Sequence, residues 1–161
     1  MGGNQISIVP DSIAHLQNLQ RLFLFDNHIS QIPDSLAKLK NLLQLSLRSN
    51  RISHIPDSLV QLQNLQELDL RSNQISYIPD SLAQIQNLKE LDLSNNKISQ
   101  IPESLETLTA LIRIDLRQNP LPISPEILGP TKLSENPGPV EEIFNYLRKL
   151  RSGDVRPLNE A

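Results

Sequence analysis

Hydrophobic and polar positions along this chain follow a pattern that returns every 23 residues. The pattern begins at Leu19, Leu42, Leu65, Leu88 and Leu111, and a half-copy precedes the first of these. Its full form is L-x-x-L-x-L-x-x-N-x-I-S-x-I-P-[DE]-S-L-x-x-[LI]-x-x. A fixed period of this length indicates one structural unit per copy, with neighbouring units stacked so that they bury a continuous core.

Each unit divides into a strand and a short helical turn. The alternation at Leu68 and Leu70 has the period of a strand with one buried face. Proline at positions 33, 56, 79 and 102 disfavours helix in the residue before it. Each proline is followed by Asp-Ser or Glu-Ser, residues that favour helix N-caps. We therefore predict one strand and one capped helical turn per unit, with consecutive strands parallel.

These features are typical of an α/β leucine-rich repeat solenoid, with a short parallel β-sheet on the concave face and short helical turns on the convex face. We assign residues 1–135 to the repeats, residues 136–153 to a C-terminal capping helix and residues 154–161 to a linker. The helix prediction rests on apolar residues at helical spacing, for which a partner-binding helix is the alternative interpretation. These residues are Val140, Ile143, Phe144, Leu147 and Leu150.

One asparagine recurs just after the apolar strand positions of every repeat. Because its side chain should point inward, it must find hydrogen bonds, and the turn backbones of adjacent coils are the available partners. We interpret this column as a structural ladder and not as a chemical site. Its members are Asn27, Asn50, Asn73, Asn96 and Asn119.

The outward-facing strand positions form three columns that we take as the candidate partner-binding surface. The first column is Arg21, Gln44, Glu67, Glu90 and Arg113. The second is Phe23, Ser46, Asp69, Asp92 and Asp115, and the third is Phe25, Arg48, Arg71, Ser94 and Arg117. Stacked acids on adjacent strands should destabilise the sheet. Two explanations remain open: a solvated ion-pair network with the arginines, or a groove for a basic or mixed-charge protein segment.

The N-terminal end of the pattern is incomplete. Asn4 matches the asparagine column, but only Met1, Gly2 and Gly3 stand where its strand should be. Phe23 and Phe25 should both be exposed on the first complete strand. Either they contact a partner, or further repeats or a cap cover them in a longer array.

The charge balance, the lack of cysteine and the lack of long apolar runs exclude several classes of function. The chain has 15 basic and 18 acidic residues and no cysteine, which argues against a nucleic-acid partner and favours a reducing cytoplasm. It contains no secretion signal and no run of about 18 apolar residues, so we expect a soluble protein with no membrane partner. His15, His28 and His54 fall at different repeat phases, and the clustered acids line an open sheet. We therefore expect no enzyme, no catalytic residue, no metal and no cofactor.

Three C-terminal segments resemble Roco proteins of bacteria, notably cyanobacteria. They are N-P-L-P-I-S-P-E-I-L at 119–128, Y-L-R-K-L-R-S-G at 146–153 and R-P-L-N-E-A at 156–161. Their order is similar to the junction where Roco repeats meet the Ras-like GTPase domain. The resemblance implies that this chain is a regulatory repeat domain that binds protein. One expected partner is the GTPase domain of the same full-length Roco protein. The phosphate-binding motif G-x-x-x-x-G-K-[ST] is absent, so no nucleotide-binding residue is assigned. A stand-alone repeat adaptor is the alternative.

Overall fold

The computed structural model describes residues 3–157, and there the chain forms a single sheet of five short parallel strands. The strands pair in chain order and in one register, with the middle leucine or isoleucine of each beside that of the next. The predicted leucine-rich repeat solenoid is confirmed. The strands are β1 (Arg21–Phe23), β2 (Gln44–Ser46), β3 (Glu67–Asp69), β4 (Glu90–Asp92) and β5 (Arg113–Asp115).

A 3₁₀ turn on the opposite side of each coil follows the proline. The turns are Asp11–His15, Asp34–Lys38, Asp57–Gln61, Asp80–Gln84 and Glu103–Thr107. Their predicted capping by Asp or Ser is wrong: the proline itself precedes each turn, and none of these turns has a side-chain cap. The acidic residue therefore lies inside the first turn. In two repeats it instead accepts a hydrogen bond from the serine of the next coil: Ser81 Oγ lies 2.7 Å from Asp57 Oδ1, and Ser104 Oγ lies 2.7 Å from Asp80 Oδ1.

The leucine and isoleucine positions of the repeat build one core that runs the length of the stack. In the third repeat, Leu65, Leu68, Leu70 and Ile75 are all essentially inaccessible to solvent. A fully buried aliphatic side chain contributes about 1.5–3 kcal/mol. Since every coil repeats these positions, burial between neighbouring coils is the main source of stability.

The inward asparagine joins each coil to the one before it. Asn73 Oδ1 accepts the Ile52 main-chain N–H at 3.0 Å, and its Nδ2 donates to the carbonyls of Leu47 and Leu70, both at 3.0 Å. The residue before each asparagine has a left-handed backbone, with φ between 53° and 58°. That conformation turns the chain directly after the strand.

Two helices follow the last repeat: α1 (Pro125–Leu128) and α2 (Val140–Ser152). Ile143, Phe144 and Leu147 of α2 are buried and belong to the same core as the repeats. Its last turns also contact the final 3₁₀ turn through Glu106, which pairs with Arg148 at 3.3 Å and with Arg151 at 2.7 Å. The helix therefore packs on the end of the stack. The division into repeats, cap and linker remains a prediction, and residues 158–161, which end both the linker and the Roco-like tail, lie outside the described residues.

Replacing Asn73 with Ala should lower the free energy of unfolding by about 1–3 kcal/mol, because buried backbone groups of two coils lose their partner. Urea denaturation of both proteins measures this difference. Gln74→Ala, an exposed neighbour, is the control and should be nearly neutral. An unchanged Asn73→Ala midpoint would contradict the structural role of the ladder.

Phe144→Ala tests whether α2 caps the core. The ring is 5% exposed, so its removal should cost about 3–5 kcal/mol. Thermal and urea denaturation are the measurements, with the exposed Lys149→Ala as the control on the same helix. A variant as stable as the wild type would mean that α2 contributes nothing to the fold of the repeats.

Candidate protein-interaction surface

The three-residue strands place every second side chain on the concave face. The parallel register puts Glu67 beside Glu90, and Asp69 beside Asp92, which in turn lies beside Asp115. Neighbouring parallel strands lie about 4.8 Å apart. The predicted columns of acids therefore lie next to one another across the sheet.

Exposure of these columns falls from the N-terminal to the C-terminal end. Phe23 is 41% exposed and Arg48 is exposed, whereas Asp69 and Asp92 are half-buried. The prediction that every residue of the three columns faces solvent is wrong at the C-terminal end, where Asp115 and Arg117 are buried, and also at Ser46 and Ser94. The buried members of the columns are Ser46 at 8%, Ser94 at 0%, Asp115 at 1% and Arg117 at 3%.

Residues 129–139, which we call the strap, lie over the end of the sheet at β5 and bury Arg117 and the neighbouring Asp115. Arg117 Nη1 donates to the carbonyls of Pro130 at 2.8 Å and Lys132 at 3.0 Å, and its Nη2 donates to that of Glu135 at 2.7 Å. On the other side, Arg117 Nε and Nη2 reach the two carboxylate oxygens of Asp115 at 2.9 and 2.7 Å. These side-chain hydrogen bonds raise the pKa of Arg117 above its ordinary value. One guanidinium thus joins the sheet to the strap.

Counter-ions are distributed unevenly among the acids. Arg113 lies 3.8 Å from Asp92 and 3.6 Å from Asp115, so both of these carboxylates have a cation beside them. Among residues 3–157, no Lys, Arg or His lies within ion-pair distance of Glu67, Asp69 or Glu90. The ion-pair network therefore covers only the C-terminal part of the acidic columns.

Asp69 is the acid whose environment is least favourable to its charge. Burial raises the pKa of its carboxyl above the ordinary 3.8, the Arg71 main-chain N–H lowers it, and the nearby charge of Asp92 raises it again. The charges of Arg48 and Arg71 lower the pKa, but less than burial raises it. Its neutral contacts are the Arg71 N–H at 3.1 Å and the Ser46 hydroxyl at 3.4 Å. A cationic group brought to this position would stabilise the charged form.

Two adjoining clefts follow the acidic columns. A cleft of about 130 Å³ lies over β3 and β4, and a second of about 340 Å³ lies between β5 and the strap. Glu90 and Arg113 line both clefts. Ile112, 73% exposed, and the strap residues 136–139 give the second cleft apolar walls. The surface can therefore contact basic and apolar groups side by side.

The N-terminal end of the surface carries the aromatic pair. The Arg48 guanidinium lies 4.8 Å from the centre of the Phe25 ring, a cation–π distance. Phe23 is partly exposed beside it, and the Gly3 N–H donates to the Phe25 carbonyl at 3.0 Å. The two aromatics thus lie on the accessible part of the concave face, as a contact surface requires.

From residue 3 to residue 157, no three His, Asp or Glu side chains are grouped as a metal site would need. In the same range no helix has the length and apolar character to cross a bilayer. The strap is the feature that sequence reasoning missed, because Arg117 binds main-chain carbonyls, which leave no residue pattern in the strap itself. The only signal available was the arginine at the end of its column.

Comparison with known proteins gives consistent results. A family model described as leucine rich repeat matches residues 17–75 and 63–121, more than half of the chain. No curated protein sequence matches.

Three solved structures illustrate the similarity. The leucine-rich repeat protein LIC12759 of Leptospira interrogans is 33% identical with a TM-score of 0.72, over 76% of this chain and 31% of that one. An internalin of Listeria monocytogenes is 33% identical with a TM-score of 0.67, over 73% and 34%. The ectodomain of the Arabidopsis thaliana receptor kinase GASSHO1/SCHENGEN3, solved with CASPARIAN STRIP INTEGRITY FACTOR 2, is 33% identical with a TM-score of 0.64, over 71% and 14%. The chain spans about a third of the length of the first two.

Asp69→Asn should raise the free energy of unfolding at pH 7 by a few tenths to about 1 kcal/mol, because it removes a like-charge contact across the sheet. Folding raises the pKa of Asp69. The folded state is therefore not penalised by this residue at a pH below the unfolded pKa, where the carboxyl is protonated in both states, and it loses stability as pH rises through the folded pKa. The gain from Asn should therefore shrink as pH falls through the folded pKa and be lost below the unfolded pKa of about 4.

Urea denaturation at pH 7 and at pH 3.5 measures this effect. Asp34→Asn is the control, since Asp34 is an exposed acid in the first turn of a convex 3₁₀ segment and should show little gain. A loss of stability for Asp69→Asn at pH 7 would contradict the account.

Proposed function

We propose that this chain, which belongs to the leucine-rich repeat family, binds a partner protein through the concave face of its sheet. Leucine-rich repeat domains typically mediate protein–protein interaction, and the similar receptor ectodomain was solved in complex with CASPARIAN STRIP INTEGRITY FACTOR 2. The partner we propose is a segment that carries Lys or Arg side chains. We propose no catalytic activity, nucleic-acid partner or membrane partner.

The observation that carries this proposal is the group of acids over β3 and β4. Glu67, Asp69 and Glu90 form no ion pair among residues 3–157, although Arg113 lies beside Glu90 on the next strand. Burial disfavours the charge of Asp69, and the charges of Arg48 and Arg71 offset this only in part. Stacked like charges cost the fold some stability. A bound Lys or Arg would offset that cost, and the half-buried position would strengthen each contact relative to one in open water.

We further propose that the domain is the regulatory repeat part of a Roco-like GTPase in the cytoplasm. The support is the resemblance of residues 119–128 and 146–153, which form the end of the stack, α1 and the last turns of α2. The lack of cysteine supports the cytoplasmic part of this proposal. In that setting the GTPase domain of the same polypeptide is a candidate partner. A stand-alone adaptor is the competing proposal for the same domain.

The coding sequence downstream of Ala161 distinguishes these two settings. A G-x-x-x-x-G-K-[ST] motif within about 20 residues, as a phosphate-binding loop requires, would support the Roco setting. A stop codon directly after Ala161 would support the adaptor. Neither result affects the proposal that the concave face binds protein.

Charge reversal tests the binding surface. The double variant Asp69→Lys/Asp92→Lys should weaken capture of a Lys- or Arg-bearing partner by at least about tenfold and reduce the salt dependence of binding, because electrostatic complementarity is lost. Titration at two ionic strengths measures both effects.

The matched control is Asp11→Lys/Asp34→Lys, which makes the same change in net charge in the first turns of the convex 3₁₀ segments. If both double variants bind the partner equally, the concave face is not the binding site. Circular dichroism of each variant verifies that the fold is retained.

A further inference from the structure

The strap is a closed loop whose two ends meet. The Gly138 N–H donates to the Leu128 carbonyl at 2.8 Å, and a Cβ on Gly129 would lie 2.6 Å from the Gly138 nitrogen. Compact surface loops with neighbouring ends of this kind are frequently functional. The contact between Leu128 and Gly138 thus holds the strap in its loop shape.

A single side chain provides most of the polar contact between the strap and the sheet. Arg117 donates to four strap carbonyls, those of Pro130, Lys132, Leu133 and Glu135. Gln118 adds a longer contact to Thr131 at 3.3 Å. All the acceptors are main-chain carbonyls. An extended peptide from another protein presents the same acceptor groups, so Arg117 can bind either one.

The strap also covers the position at which the acidic surface continues. Asp115 is the next member of the column that contains Asp69 and Asp92, and the strap leaves it 1% exposed. Its carboxylate is occupied by Arg117 and faces Arg113. A basic segment that binds over β3 and β4 therefore cannot extend across β5 while the strap is in place.

We infer that the strap is an autoinhibitory contact, held by Arg117, that competes with the partner segment for the β5 end of the concave surface. The inference rests on the proposed function, since it needs a ligand that occupies the acidic columns. Its chemistry is an exchange. The strap carbonyls leave the Arg117 guanidinium, the carbonyls of the incoming extended segment replace them, and the basic side chains of that segment bind the acids of β3 and β4.

Opening of the strap can be measured directly at the Lys132–Leu133 peptide bond. The Lys132 carbonyl is held by Arg117, and thermolysin cleaves on the amino side of leucine. When opening and closing are fast, the cleavage rate reports the fraction of open molecules. Two variants should raise that fraction: Arg117→Gln, which removes the guanidinium, and Gly138→Ala, whose Cβ would lie 2.0 Å from the Ile127 carbonyl oxygen. Gly138→Ala changes no charge.

The experiment compares full-chain wild type and both variants, with a labelled peptide of alternating lysine and serine as the probe. Loss of hydrogen bonds to a charged group should speed cleavage at Leu133 by about tenfold or more. For Gly138→Ala, which keeps Arg117, competition predicts that probe affinity rises by the same factor, because the apparent dissociation constant varies inversely with the competent fraction. Arg117→Gln should bind the probe less tightly than Gly138→Ala, since it lacks the group that receives the probe carbonyls. Saturating probe should also speed cleavage of the wild type.

Arg48→Gln is the charge-matched control, because Arg48 lies in the same column far from the strap. It should alter probe binding through charge alone and leave cleavage at Leu133 unchanged. The inference is overturned if Gly138→Ala is cleaved faster but binds the probe no better than wild type. It is also overturned if cleavage of both variants equals that of wild type. Failure of the proposed function looks different: the probe would then bind wild type and Asp69→Lys/Asp92→Lys equally, whatever the strap does.

Discussion

The hydrogen bonds of one buried asparagine per coil determine how this molecule is assembled. Each amide closes its own turn and also binds the backbone of the preceding coil: Asn50 reaches Ile29 and Leu24, and Asn96 reaches Ile75 and Leu70. A buried amide needs both its donors and its acceptor satisfied, which fixes the spacing and rotation between coils. The parallel register of the strands follows from that alignment, and the register sets which concave side chains are neighbours.

The repeats could be predicted from sequence because each depends on local periodicity. Leu68 and Leu70 indicated the strand, and Ile143, Phe144 and Leu147 indicated the amphipathic helix. The left-handed residues could not be predicted, since Ser72 and Gln118 occupy that conformation without the Gly that usually signals it. Capping was misassigned for a similar reason. Asp-Ser after Pro has the composition of an N-cap, but the proline holds the extended position that a cap would occupy.

The concave face could be predicted residue by residue, but its boundaries could not. Sequence placed Asp69, Asp92 and Asp115 in one column and treated them as equivalent. In the structure Asp69 forms no ion pair within the described chain, Asp92 pairs with Arg113, and Asp115 is buried against Arg117. The difference arises from contacts between a strand residue and main-chain carbonyls distant in sequence. Such contacts depend on the path of the chain and not on residue type.

The concave face differs between its N-terminal end, which is open, and its C-terminal end, which the strap covers. Its N-terminal part carries Phe23 and Phe25, the middle carries the stacked acids, and the last strand lies under the strap. Helix α2 packs behind that end and is joined to the strap at Pro139. A partner on the acids would therefore lie next to the strap, which joins the concave face to the C-terminal helix.

Backbone chemical-shift mapping with a lysine-rich peptide tests whether the concave face is the binding surface. Binding there should give the largest shifts at Glu67, Asp69 and Glu90, smaller shifts in residues 129–139, and little change in the 3₁₀ turns. Shifts concentrated in Asp34–Lys38 and Asp57–Gln61, with none on the sheet, would contradict it.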